Sequence, residues 1–395
     1  MYLNNIVMNK IQLVLLTLHC ITININFKFS STLFVLLVLV WFCDKGKSKN
    51  YKIYKDYKYI LFSGILVLTD ICILLSHTIN ELSLKILEKD IIYYVFMILL
   101  VFIIDNYEKI RAACYGILIS GVIVPAYTMY LNSQGMVRVG GIMDGNVNVF
   151  STHLLMLLPF VIFSGWYLRL NKYMKIISVV SSIAILYCLL QTGSRGALVS
   201  LCIGLLIISV LLFKDRVKYL ICIISVLIGA IFFLWANDAI VISRFLKNIS
   251  LHSYENILRI NIYTNSLEMF RDNWISGVGL GQYSNVYWQY MYDDIPVRHF
   301  IHAHNWLLMY MAEGGIIGAC ALIIFLGWNY WFYYKNMLSD KEIISKIAMA
   351  ALSMFIFISI YMLFDYTMNV TGIKRLFWCE IGLAYAIIKM ENSFI

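Results

Sequence analysis

"IISVVSSIAILYCLLQTGSRGALVSLCIGLLIISVLLF", residues 176–213, decides the fold. Two apolar runs, 176–190 and 197–213, flank a turn of small residues that carries one arginine, Arg195. Each run approaches the ~20 residues a helix needs to cross a bilayer's hydrocarbon. The same pattern repeats outward in both directions. Ten further runs lie at 11–27, 29–43, 59–77, 91–104, 112–131, 149–168, 219–236, 314–334, 347–364 and 376–390. Several are short, and "NFKFS" between the first two is a meagre turn that a single re-entrant hairpin would also explain. Composition agrees: the 395 residues are 61% hydrophobic and 13% charged, where soluble domains carry about 25% charged residues. Most of the surface therefore does not meet water. The predicted fold is an all-α polytopic membrane protein of about 12 transmembrane helices, one domain over residues 1–395. The N-terminal run has no small-residue cleavage site after it and reads as a first membrane helix.

The formal charge of +9 does not indicate nucleic-acid binding. With the N-terminus inside, the inner loops are 44–58, 105–111, 169–175, 214–218 and 335–346, and they hold seventeen of the 31 Lys and Arg. This is the positive-inside bias, repeated loop after loop. The nine cysteines lie in or at the edges of apolar runs without metal or CxxC spacing, as small buried hydrophobes do. The outer side then receives loops at 78–90, 132–148 and 365–375, the "QTGSRG" turn, and a large extracytoplasmic loop at 237–302. Within that loop Ile257, Ile260, Tyr263, Leu267 and Phe270 recur at three- and four-residue steps. They form one stripe of an amphipathic helix lying on the membrane.

The outer loops carry the chemistry-bearing side chains. Arg195 sits among Gly193, Ser194 and Gly196, where a bulky anion approaches the backbone closely, and a helix follows it. An interfacial snorkelling anchor is the plain alternative for this arginine. Arg259 follows Glu255 by one helical turn. The pair is either a surface ion pair or a second phosphate-binding fork oriented by Glu255. "GVGLG" at 277–281 is GxGxG after a helix, so a dinucleotide fingerprint is a poor reading and a tight turn a better one. His302 and His304 form HxH, but no carboxylate or Cys cluster nearby in the chain completes a metal site. A neutral imidazole here serves better as general base, with Asn305 orienting it or a sugar hydroxyl. Glu313, ahead of Gly314-Gly315, reads as closing a helix and pairing with a nearby donor.

"TGSRGALVS", Arg259 on a helix followed by "GVGLGQY", and "HAHNWLLMYMAEGGIIG" stand in the order of the O-antigen polymerase/ligase family, which the chain resembles over about 138–318. These are Wzy- and WaaL-like membrane glycosyltransferases. "NWIS" stands where the family commonly has a Pro before the glycine turn, and a Trp often found after the Arg259 position is missing. The resemblance implies an outward-facing site in the bacterial cytoplasmic membrane with neither metal nor nucleotide cofactor. It implies an undecaprenyl-diphosphate-linked oligosaccharide donor and a glycan acceptor, with membrane lipids and a chain-length regulator as further partners. Carried over, Arg195 and Arg259 engage the lipid diphosphate and His304 is the base. Arg138, Arg244, Glu255, His302 and Asn305 complete the expected substrate-binding set. The expected activity is surface-polysaccharide polymerisation. The alternatives are ligation of finished glycan onto lipid A-core or another acceptor, and, from a different class, a lipid-linked sugar transporter or flippase. A transporter keeps its ionisable residues at the midplane, where Asp70 is the clearest charge in this chain.

Overall fold

The computed structural model describes residues 2–44, 57–135, 140–141, 145–212, 254–291 and 302–393, and among these every regular element is helical. In chain order they are α1 (Tyr2–Thr22), α2 (Phe27–Cys43), α3 (Tyr57–Ser63), α4 (Ile65–Leu75), α5 (Glu81–Ile103), α6 (Tyr107–Ser133), α7 (Val147–Tyr167), α8 (Lys172–Gln191) and α9 (Arg195–Leu212). After them come α10 (Tyr254–Asp272), the short α11 (Tyr283–Tyr287), α12 (Trp306–Met337), α13 (Glu342–Tyr361) and α14 (Thr371–Ser393). The expected span at 219–236, Arg138 and Arg244 lie outside the described residues, and Glu255 is described only in its backbone.

Asparagine starts many of these helices. The side chains of Asn26, Asn80, Asn106, Asn146, Asn171 and Asn305 each accept from a backbone N–H of the first turn. Each such cap is worth ~1 kcal/mol and satisfies an amide that hydrocarbon leaves without water. Helices α7 and α13 form the centre, with 83% and 67% of their apolar windows buried, whereas α8 at 28% lies outside. The outer face of α8 presents Ile176, Val179, Val180 and Ile183, more than half exposed, as a lipid-facing surface does.

By length and apolarity, five described helices qualify as membrane spans: α6, α7, α8, α12 and α13. Shorter apolar stretches at Val7–Thr22, Phe27–Cys43, Ile65–Leu75 and Arg195–Leu211 accompany them. The expected count of twelve is therefore larger than the number of described helices that meet the span length. Two details differ from the sequence reading. The run 59–77 is two helices, α3 and α4, broken at Gly64, where a Cβ would meet the Tyr94 hydroxyl at 2.6 Å. Most of the expected loop 78–90 belongs to α5, which begins at the Asn80 cap and carries its charges on a helix.

The loops sort into two faces, as the alternation of spans requires. On one face Arg169 pairs with Glu342 at 2.9 Å, Asn9 donates to Glu108, and Gln12 donates to Asp44. On the other Thr152 bonds Thr367 at 2.9 Å, Ser194 meets Tyr361 at 3.5 Å, and Ser83 donates to the Leu280 carbonyl. The Arg195 turn falls on the second face.

Candidate functional site

The turn at 361–366, between α13 and α14, is the scaffold on which the site is assembled. At Arg195, Gly193 takes φ 64 and ends α8, so the chain reverses and Arg195 opens α9. A Cβ on Gly196 would lie 3.1 Å from Phe364 and 3.4 Å from Tyr361, so the first turn of α9 rests against the turn through a glycine. Helix α10 reaches the same place from the other side. Tyr263 donates to the carbonyls of Leu363 at 2.9 Å and His304 at 3.3 Å. Arg259 stands one turn before Tyr263 on α10. The chain entering α12 is pinned there too: Trp306 N–H donates to the Met362 carbonyl at 2.8 Å and Asn305 Nδ2 to Leu363 at 3.2 Å. The first turn of α9, which Arg195 opens, helix α10, which carries Arg259, and the chain at His304 thus all meet the turn at 361–366.

His304 adopts φ 50, the one positive value among described non-glycine residues. Such a conformation costs ~1–3 kcal/mol and persists only where surroundings enforce it. Here the His304 carbonyl accepts from Tyr263, and its N–H donates to Nδ1 of His302 at 3.3 Å. The result turns the ring onto Asp365, with Nδ1 2.8 Å from Oδ1. An ionised carboxylate only accepts, so Nδ1 carries the proton and the lone pair is placed on Nε2. This is the geometry of an oriented base.

Asp365 is 5% exposed. Burial alone would raise its carboxyl, but the His304 hydrogen bond and charge, the His302 charge and the Tyr366 amide outweigh that and hold it below its usual value. His302 packs edge-on against His304 with ring centroids 4.3 Å apart. Burial, then the His304 charge, lower it to about 4, against a smaller opposing pull from Asp365.

Sequence adjacency missed Asp365. The expectation that no carboxylate accompanies HxH is corrected here: one arrives from 61 residues downstream. The potential ligand atoms of His302, His304 and Asp365 lie within 4.8 Å of one another. Two imidazoles and a carboxylate are a donor set that suits a metal ion, so the geometry permits either an oriented base or a metal site. Asn305 is committed to the fold at both ends of its amide, since Oδ1 caps Leu308 N at 3.0 Å while Nδ2 holds Leu363. One N–H and one oxygen lone pair of the amide remain beyond these two bonds, enough for the expected sugar contact.

The two glycine motifs meet. Helix α12 breaks at Gly315, φ 59, and the chain at 274–279 docks into the gap. Val278 N–H donates to Ala312, Gly279 N–H to Glu313 and Ile316 N–H to Trp274, at 2.8–3.0 Å. The Glu313 carboxylate accepts from the Tyr283 amide at 3.2 Å. "GVGLG" is thus a docking turn and Glu313 its partner, as the sequence reading expected.

Helix α10 contains the whole expected stripe, but its buried face is Leu258, Ile262, Asn265, Ser266 and Met269. Ile257, Ile260 and Leu267 of the expected stripe are 42–52% exposed. Two faces of this helix are apolar enough to bury, and Tyr283 and Tyr287 select the one whose Ser266 and Asn265 they bond. The exposed stripe continues into Trp274 and Ile275, 57% and 55% exposed, a surface suited to the membrane interface.

Residues 180–323 match the family described as O-antigen ligase (Wzy_C). Among curated proteins, the teichuronic acid biosynthesis protein TuaE of Bacillus subtilis (strain 168) is 26% identical over 234 residues, covering 56% of this chain and 46% of that protein. The match therefore spans about half the length of that relative. Both findings agree with the family resemblance read from the three motifs. The matched residues hold Arg195, Arg259, His302, His304 and Asn305, and they stop short of Asp365.

Proposed function

We propose that the chain is a surface-polysaccharide polymerase. It transfers a glycan from undecaprenyl diphosphate onto the sugar end of a lipid-linked repeat, at the outer face of the bacterial cytoplasmic membrane. The observation that carries this reading is the His304–Asp365 pair, 2.8 Å apart, on the same turn that α9 and α10 approach with Arg195 and Arg259. In the proposed step the acceptor hydroxyl oxygen bonds to the anomeric carbon of the donor sugar. The bond from that carbon to the diphosphate oxygen breaks, its electron pair leaving with the diphosphate. The hydroxyl proton passes to Nε2 of His304. Arg195 and Arg259 stabilise charge where it develops on the leaving group, an effect that grows where water is excluded. Asp365 holds the imidazole in its tautomer and stabilises the imidazolium that forms. No ATP is needed, because the donor's diphosphate linkage supplies the driving force. Arg138, Arg244, Glu255 and His302 complete the substrate surface, and no metal takes part.

A ligase reading is favoured by the family description, which names O-antigen ligase. It uses the same residues and differs only in acceptor, lipid A-core or another surface molecule. The size profile of lipid-linked and surface glycan in a deletion strain separates the two. A polymerase predicts collapse to single repeats, and a ligase predicts long glycan accumulating on its carrier lipid. A normal profile in both fractions would contradict both.

A further inference from the structure

A second chamber adjoins the site on the same face. A cavity of about 260 Å³ opens between α4, α5, α11, α12 and the start of α14. Asp70, Asp90, Tyr310, Glu313, Tyr366 and Lys374 line it. Asp70, the charge that invited a transporter reading, is 4% exposed and sits on this wall with Asp90. Lys374 pairs with Asp90, and Glu313 accepts from the Tyr283 amide. With Lys89 also on the lining, three carboxyl groups and two ammonium groups face the chamber, an environment that both accepts from and donates to the hydroxyl groups of a ligand.

The lining also has polar capacity that the protein does not use. Tyr366 is 8% exposed, and neither its hydroxyl nor that of Tyr310 has a hydrogen-bond partner among the described residues. Both residues line the cavity, so a ligand with hydroxyl groups, or water in its place, completes their hydrogen bonding. The volume falls just under the ~300–1,000 Å³ of drug-sized sites, suiting a sugar ring more than an oligosaccharide. Tyr366 follows Asp365 directly, and its ring centroid is 5.9 Å from that of His302. One residue therefore separates the chamber from the base. The turn at 361–366 divides two environments, with the arginine-bearing helices on the Tyr361–Phe364 side and the chamber of carboxyl, ammonium and tyrosine groups at Tyr366.

We propose that this chamber is the acceptor subsite. It takes the terminal sugar of the acceptor glycan, Asp70 and the two tyrosine hydroxyls hold its hydroxyl groups, and it presents the attacking hydroxyl toward His304. The proposal rests on the transferase reading above. Its test uses the full-length protein in liposomes, a labelled lipid-linked glycan donor, and as acceptor the repeat-unit oligosaccharide freed by mild acid from the lipid-linked repeat of a deletion strain. Asp70→Asn and Tyr366→Phe are compared with Ser284→Trp, which fills the chamber from α11 without removing a charge. The acceptor KM should rise about tenfold or more in each, corresponding to ~1.4 kcal/mol, with the donor KM within twofold of wild type. If Asp70→Asn does not fold, Ser284→Trp decides by the same split. An unchanged acceptor KM in Ser284→Trp, with His304→Ala inactive, would overturn the subsite and leave the transferase reading standing. A wild-type protein that transfers no sugar would overturn both.

Discussion

His304 spends conformational energy to face Asp365, and the fold enforces this through backbone contacts from Tyr263 and His302. An amide in place of Asp365 keeps the shape but removes the charge that fixes the imidazole tautomer. Asp365→Asn is expected to lower kcat by about 10²-fold or more with little change in donor KM, measured as single-turnover transfer. Unchanged kcat would remove Asp365 from the mechanism. The neighbouring His302 gives a stability prediction. Its folded value of about 4 lies below its ordinary 6.5, so the unfolded chain binds more protons between these limits. Its stabilisation is complete above the upper limit and is lost as pH falls toward the lower one. Asp365, held below the usual carboxylate value of 3.8, loses its contribution only under more acid conditions. Thermal melts in detergent should therefore fall more steeply from pH 6.5 to 4 in wild type than in His302→Gln. Parallel curves would contradict the burial of a neutral His302. Arg195, Arg259 and His304 could be named as candidates from the sequence because each stands out against its motif. Asp365 was not, because nothing in "MLFDYTMN" ties it to HxH except the meeting of two loops in space.

At the scale of elements, the glycine motifs were legible in kind. Positive φ at Gly277, Gly279, Gly281 and Gly315 is what lets "GVGLG" enter the break in α12. At Gly315 a Cβ would lie 2.5 Å from the Ile275 carbonyl, and at Gly277 2.3 Å from that of Glu313. Gly315→Ala therefore meets both a backbone clash and an unfavourable φ, and should destabilise this docking by more than ~1 kcal/mol. Limited proteolysis reads it: cleavage between 272 and 291 should quicken several-fold while the bundle stays intact. Equal cleavage rates would mean that the turn is not held by the break. Helix α10 shows the limit of periodicity. The helix itself was expected, but the choice of buried face depended on Tyr283 and Tyr287, which lie beyond the helix and whose hydroxyls bond Ser266 and Asn265.

For the whole molecule, the Arg169–Glu342 contact joins two loops that the charge pattern assigns to the same side. The number of spans was less legible, since a helix broken at Gly64 and a helical 81–90 leave the hydropathy pattern almost unchanged. Orientation follows from charge, and Leu170, 96% exposed beside Arg169, gives a place to test it. In a cysteine-free background, Leu170→Cys should resist a membrane-impermeant maleimide in intact spheroplasts and react once they are opened. Labelling of intact spheroplasts would invert the proposed topology.

The central claim is that Arg195, Arg259 and the His304–Asp365 pair act together on a lipid diphosphate at one outward-facing site. Its most direct measurement is glycan elongation by the purified protein in liposomes supplied only with lipid-linked repeat unit and EDTA. Wild type should build a ladder of lengthening products while Arg195→Ala, Arg259→Ala and His304→Ala leave single repeats. A ladder of normal length from any of the three variants, or a wild-type ladder that EDTA abolishes and Zn²⁺ or Mg²⁺ restores, would contradict the account.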